Sequence, residues 1–300
     1  MSEPISVSLG LGSGGARGYA HIGVLRWIEE RGLRVRAIAG SSMGALVGGI
    51  YAAGRLDDFE QWARTIRKSD ILGLLDVVFG KTGLVEGGKL MQALEGFVGD
   101  LRIEDLELPF TAVASDVARE KEVWLASGPL FDAIRASISI PLFFVPHELD
   151  GRELLDGGIL EPVPVAPTLD HRSDLTVAVN LTGPVVEDWS AGVDLPERPA
   201  DDRGRVRRAV DGMLDALHER ALNGDGPSML DLAADVIDTM QGAIARMKLA
   251  AHPPDVEIAI PRNVARVLEF DRAAELIEVG RRAAEEQLGP VLERRGAGPS

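Results

Sequence analysis

The stretch from Val35 to Gly54, VRAIAGSSMGALVGGIYAAG, restricts the fold more than any other part of the chain. An apolar, β-branched run ends at Gly40. The turn Gly40-Ser41-Ser42-Met43-Gly44 follows, and a segment of helical length then continues to a glycine stop at Gly54. The order strand, sharp turn, helix puts Ser42 at the centre of a G-x-S-x-G. On such an elbow a serine hydroxyl stands above the sheet with a helix N-terminus behind it, which is where a nucleophile is wanted. Gly40 and Gly44 flank the serine where a side chain would obstruct the approach of strand and helix. A merely flexible turn would show the same five residues, so the flanking strand and helix carry the argument.

The same arrangement precedes it. Ile5 to Leu9 alternates in the manner of a strand, Gly10 to Gly18 is glycine-rich, and a helix is expected from about Ala16 to Glu30. Gly10, Gly12 and Gly15 fit G-x-G-x-x-G, but a dinucleotide site wants an acidic residue at the end of the second strand, and that strand ends Ala39-Gly40-Ser41. The alternative follows from position. In a parallel α/β sheet both loops fall at the carboxyl ends of their strands, where open sheets form sites. The backbone N–H groups of Gly14, Gly15 and Ala16, at a helix N-terminus, make an anion cradle, and beside a nucleophile such a cradle is an oxyanion hole. Arg17 reads equally as a loop brace, an acyl- or phosphate-binding residue, or a plain surface arginine.

Further along, 56–68 and 88–98 read as helices. Gly80-Lys81-Thr82 resembles a P-loop ending but lacks the required glycine at Leu75. Strands are expected over 110–114 and 122–125, with a short helix over 130–137. Asp150-Gly151 marks a hairpin whose second strand runs into Asp156-Gly157-Gly158, which on its own is ordinary turn chemistry. Leu175 to Asn180 reads as another strand. From Thr182 to Pro227 the composition shifts to Pro, Gly, Asp and Arg, with one amphipathic helix (Val206, Val210, Met213, Leu214, Leu217), as in an insertion or lid. A long helix over 228–250, a last strand over 255–260 and a closing helix over 271–287 follow, and 289–300 is expected to be a disordered tail. No repeat and no second core is visible, so residues 1–288 read as one α/β domain.

The formal net charge of −15 argues against nucleic acid as a partner and against simple electrostatic attachment to anionic membranes. The basic cluster from Arg203 to Arg208 is the exception: it could touch lipid headgroups, though neighbouring Asp201 and Asp202 suit an ordinary solvated helix start. The absence of cysteine removes disulfides, thiolate catalysis and cysteine-based metal sites. The first residues show no basic secretory region, and Met43 to Gly54 is too short to span a bilayer, so a cytoplasmic setting is expected.

Three motifs occur in one order: Gly12-Ser-Gly-Gly-Ala-Arg-Gly18, Gly40-Ser-Ser-Met-Gly44 and Asp156-Gly-Gly158. Together with Tyr19 to Leu25 and Ala136-Ser-Ile-Ser-Ile-Pro141, this resembles the patatin-like phospholipase family, particularly its bacterial single-domain members. The resemblance implies a three-layer α/β/α sandwich with a mostly parallel central sheet, and hydrolysis of acyl esters of phospholipids or other lipids. It implies Ser42 as nucleophile, Asp156 as its partner, and Gly14, Gly15 and Ala16 as the oxyanion hole, supported by Arg17, Gly40 and Gly44. It implies no metal and no organic cofactor; the basic cluster and the amphipathic 182–227 segment leave transient contact with a membrane surface open. Ser13 stands where many members have glycine, which matters little where only backbone N–H groups are needed. His21 is a second candidate base but, lying on the first helix, is expected to be structural and to pack behind the loop; none of His171, His218 and His252 lies in a recognisable catalytic loop, so a Ser–Asp dyad without histidine is expected. An acyltransferase using the same residues, or a regulatory binding module with weak turnover, are the rival functions.

Overall fold

The computed structural model describes residues 4–67, 70, 88–141, 143–189 and 229–296. Strand β1 (Ser6–Leu11) leads through the glycine loop into a 3-10 turn (Gly15–Tyr19) and helix α1 (Ala20–Glu30). The first helix therefore opens later than expected. Gly15 takes a φ of 55° and the Ala16 N–H is bonded to Val267 O, so the helical ladder starts beyond them. Strand β2 (Arg34–Ser41) enters the elbow and α2 (Met43–Ala52), followed by α3 (Leu56–Thr65) and α4 (Gly88–Val98). Helix α3 ends short of the expected Lys68 because Ile66 turns extended.

Strands β3 (Phe110–Asp116) and β4 (Lys121–Leu125) precede α5 (Leu130–Ser137). The hairpin joins β5 (His147–Leu149) to β6 (Arg152–Asp156). Its Asp150 and Gly151 both have positive φ, 50° and 70°, as a type I′ turn requires. The chain closes with β7 (Leu175–Gly183), α6 (Met229–Ala251), β8 (Val256–Pro261), α7 (Ala273–Gln287) and α8 (Gly289–Arg294).

The strands form one mixed sheet in the order β5-β6-β3-β2-β1-β7-β8, with β4 also paired to β3. Strands β3, β2, β1, β7 and β8 are parallel, and β4 and β6 run antiparallel to β3. Alternation along β7 separates the layers. Val177, Val179 and Leu181 join the main core with α1, α2 and α7, while Ala178 packs with Val163, Val165 and, from α6, Ala245 and Leu249. Helices thus cover both faces, as expected of an α/β/α fold. Helices α1 and α7 cross at glycines: a Cβ on Gly23 would lie 1.8 Å from Ile277 O, and one on Gly280 1.9 Å from Ala20 O.

Two expectations need correction. The tail does not begin at residue 289, because Gly289–Arg294 is helical with Leu292 buried against the core. A proline at the first helical turn is compatible with a helix start, which is where Pro290 stands. Thr182 and Gly183, taken as the start of the insertion, belong to β7, and the chain stays anchored to Val186 by two hydrogen bonds to Asn263. The amphipathic stretch 206–217 and the basic cluster 203–208 lie outside the described residues, as does Gly80-Lys81-Thr82. Among the described residues, no helix is long and apolar enough to cross a membrane.

Candidate active site

The elbow is as tight as its glycines demand. A Cβ on Gly44 would lie 2.0 Å from Leu11 O, and one on Gly40 2.3 Å from Gly44 O. Ser42 itself sits at φ 55°, ψ −123°. Such a conformation costs a non-glycine residue about 1–3 kcal/mol and persists only where the surroundings impose it. Three bonds do so here. The Ser42 carbonyl accepts from the N–H groups of Ala45 and Leu46 at 2.9 and 3.0 Å, starting the α2 ladder. The Ser42 N–H donates to Ser137 Oγ at 2.9 Å.

Sheet pairing brings Asp156 to this point. Ala112 and Val113 of β3 pair with β2 on one side and β4 on the other, and Ala114 pairs with both β4 and β6. Since β4 keeps one edge of β3, β2 and β6 share the opposite edge and meet end to end. Ser41 is opposite Val113, and Asp156 is opposite the next residue, Ala114. The two strand ends therefore present Ser42 and Asp156 to each other. Ser42 Oγ donates to Asp156 Oδ2 at 2.5 Å, and Oδ1 accepts the Gly158 N–H at 2.8 Å. Both residues are buried. Burial pushes the Asp156 carboxyl up to about 7, against the opposing pull of the hydrogen bonds from Ser42 and the Gly158 amide.

Gly14 and Gly15 line the same cavity as Ser42 and Asp156, and their N–H groups meet no acceptor among the described residues. Ala16 departs from the expectation. Its N–H donates to Val267 O at 2.8 Å, so it anchors the loop and is not a free donor. Arg17 is buried, which removes the surface reading. Its Nε donates to Gly14 O at 3.2 Å, Nη1 to Arg262 O, and both terminal nitrogens to the Asp238 carboxylate on α6. It braces the glycine loop against the helix that roofs the site. Ser13 makes a second tie, Oγ to Gln241 Oε1 at 3.0 Å. The cavity, about 40 Å³, is lined by Ala234, Ile237 and Gln241 of α6 and by Ile140 and Phe143.

His21 is buried, with Nε2 2.8 Å from Gly12 O, and burial pushes its pKa down to about 4. It is a neutral donor behind the loop, as expected. His171 precedes β7, at the end of the sheet opposite Ser42, His252 follows α6 on the surface, and His147 lies 3.5 Å from Asp132. His218 lies outside the described residues. Ser137, Asp238 and Gln241 were not singled out in the sequence as site residues. Only Ser137 carried any signal, as part of Ala136-Ser-Ile-Ser-Ile-Pro141.

Comparison with known proteins identifies the family. Residues 9–169 match the patatin-like phospholipase family. An NTE family protein of Mycobacterium tuberculosis is 41% identical over 329 residues, covering 94% of this chain and 91% of that protein. The lysophospholipase nte1 of Emericella nidulans is 29% identical over 243 residues, covering 74% of this chain and 16% of that protein. Among solved structures, VipD from Legionella pneumophila aligns over 95% of this chain and 66% of that one, with a TM-score of 0.41 and 13% identity. Fold and family define the class, an enzyme that hydrolyses lipid esters. The chain belongs to the patatin-like phospholipase family.

Proposed function

We propose that this protein hydrolyses carboxylic esters of phospholipids or lysophospholipids through a Ser42–Asp156 dyad and an acyl-serine intermediate. The observation that carries the reading is the 2.5 Å hydrogen bond from Ser42 Oγ to a buried carboxylate, made by a serine in a strained elbow. Asp156 Oδ2 takes the Ser42 proton as Oγ attacks the ester carbonyl. The N–H groups of Gly14 and Gly15, with the N-terminus of α2, stabilise the tetrahedral oxyanion. Collapse expels the alcohol, which recovers the proton from Asp156. A water, deprotonated by Asp156, then attacks the acyl-serine, and collapse releases the acid as Ser42 Oγ takes the proton back from Asp156. With its carboxyl near 7, Asp156 is basic enough to serve where an ordinary aspartate, at about 3.9, would be a poor base.

Helix α6 lines one side of the cavity, so it borders the path of an entering acyl chain. The outer face of that helix exposes Leu232, Val236 and Met240, which suits transient contact with a lipid surface. The test uses Ser42→Ala and Asp156→Asn. Both variants should lose hydrolysis of a lysophospholipid and of a short soluble ester, and Ser42→Ala should lose labelling by a fluorophosphonate. A Ser42→Ala protein that still labels and turns over refutes the assignment.

A further inference from the structure

The turn that ends α5 touches both partners of the dyad through their backbones. Ser137 Oγ accepts the Ser42 N–H at 2.9 Å, and two residues later Ser139 O accepts the Asp156 N–H at 3.0 Å. We propose that Ser137-Ile138-Ser139 is a positioning bracket that sets the separation of nucleophile and base. The inference rests on the Ser42–Asp156 reading above and adds to it the residues that hold the pair in register.

The need for a bracket follows from the sheet. The β2–β3 pairing ends with Ser41 opposite Val113, and Ser42 then departs into its left-handed conformation. Its N–H leaves the ladder inside a buried site, where an unpaired donor costs about 1–3 kcal/mol. Ser137 supplies the acceptor, and the direction of every bond is determined. The Ser42 amide can only donate and Val113 O can only accept, so the Ser137 hydroxyl donates to Val113 O, at 2.6 Å, and receives the Ser42 N–H on a lone pair. Ser137 thus ties the elbow to the very β3 residue that pairs with the last residue of β2.

The second half of the bracket acts on the other strand. Asp156 ends β6, pairs with Ala114, and gives its N–H to Ser139. The bracket is itself fastened. Arg135 Nη1 donates to Ser139 Oγ at 2.7 Å, Ser139 Oγ donates to Arg135 O at 2.9 Å, and the guanidinium lies 5.6 Å from the centre of the Phe144 ring. Ser137 and Ser139 are both fully buried, so no water substitutes for either bond without a rearrangement. One rigid turn therefore controls the distance between strand ends that no covalent or ladder contact joins directly.

The test compares Ser137→Ala with a control, Ser115→Ala. Ser115 is as buried and lies on the same strand as Val113, but its hydroxyl has no partner among the described residues. On a short soluble ester, Ser137→Ala should lower kcat by about 10- to 100-fold with KM within twofold, because misplacing a reacting group by an ångström costs on that order. The rate of fluorophosphonate labelling should fall by the same factor. The acid limb of kcat/KM should move to higher pH, because the Ser42 hydroxyl bond that holds the Asp156 carboxyl down is weakened. Ser115→Ala should match wild type. If Ser137→Ala does not fold by circular dichroism, Ser139→Ala carries the test: it loses the Arg135 tie but keeps the backbone acceptor, and should show a smaller kcat loss and a smaller displacement of the acid limb in the same direction. Ser42→Ala separates the two claims. If it remains active, the dyad fails. If it is inactive while the folded bracket variant runs within twofold of wild type with an unmoved acid limb, the bracket alone is overturned.

Discussion

Replacing Asp156 with asparagine should make the protein more stable and inactive, and the gain in stability should grow with pH. The carboxyl sits at about 7 in the folded chain against an ordinary 3.8, with burial as the main cause. An acid whose folded pKa is raised opposes folding once it is ionised. Below the ordinary value both states hold the proton and there is no penalty. Between the two values the unfolded chain has released its proton while the folded chain keeps it, so stability falls as pH rises. Above 7 both are ionised and the penalty levels off. At about 1.4 kcal/mol per tenfold in proton affinity, the full penalty is about 4 kcal/mol. Asparagine keeps the shape without the titration. Urea unfolding of wild type and Asp156→Asn should therefore diverge by about 3 kcal/mol between roughly pH 5 and pH 8.5. Glu161, whose carboxyl is also raised by burial, is present in both proteins and drops out of the difference. The acid limb of wild-type kcat/KM should fall near 7, the pH at which the stability divergence levels off, because the folded-state ionisation of one group governs both. A stability difference that stays flat across that range, or an acid limb near 4, would refute the reasoning, since Asp156 would then be an ordinary solvated carboxylate.

Other outcomes follow from single contacts. Gly44→Ala places a Cβ 2.0 Å from Leu11 O, and should cost about 3 kcal/mol or more and abolish probe labelling; unchanged urea unfolding would show that the elbow is looser than described. Arg17→Met leaves the Asp238 carboxylate without its buried partner and should cost about 3–5 kcal/mol in urea unfolding, with slower probe labelling as Gly14 loses its brace. His171→Ala and His252→Ala should retain near wild-type turnover, because neither ring lies at the Ser42 end of the sheet; a well-folded but inactive variant of either would restore a triad. Val236→Ser with Met240→Ser should reduce hydrolysis of phospholipid vesicles several-fold while leaving a short soluble ester unaffected, and equal losses on both would refute contact of that helix face with lipid.

What could be foreseen in the sequence was whatever depends on near neighbours. The elbow is legible because strand, Gly40-Ser41-Ser42-Met43-Gly44 and helix are contiguous, and the clash that forbids a side chain at Gly40 comes from Gly44 and Ala45, four and five residues on. The glycine loop and the Asp150-Gly151 hairpin are legible for the same reason. Asp156 was different. Asp-Gly-Gly at a strand end is turn chemistry until β6 lies along the β3 edge already occupied by β2, which brings Asp156 to Ser42, 114 positions away. Ala16 shows the limit from the other side. Local pattern offered three amide donors, but Val267, brought in from beyond β8, takes one of them. Arg17 could not be assigned to one of its three readings because its partner, Asp238, lies 221 residues away on α6. Ser137 belongs to the Ala136-Ser-Ile-Ser-Ile-Pro141 stretch, but nothing local gives it a role, since it is a serine at the end of a short helix. Its importance comes from the Ser42 amide, which the strained elbow turns off the ladder and which must find an acceptor in a dry site. The serine proposed as nucleophile could thus be picked out from twenty consecutive residues, whereas the groups that hold it are set by which distant backbone atoms are left unpaired when the sheet closes.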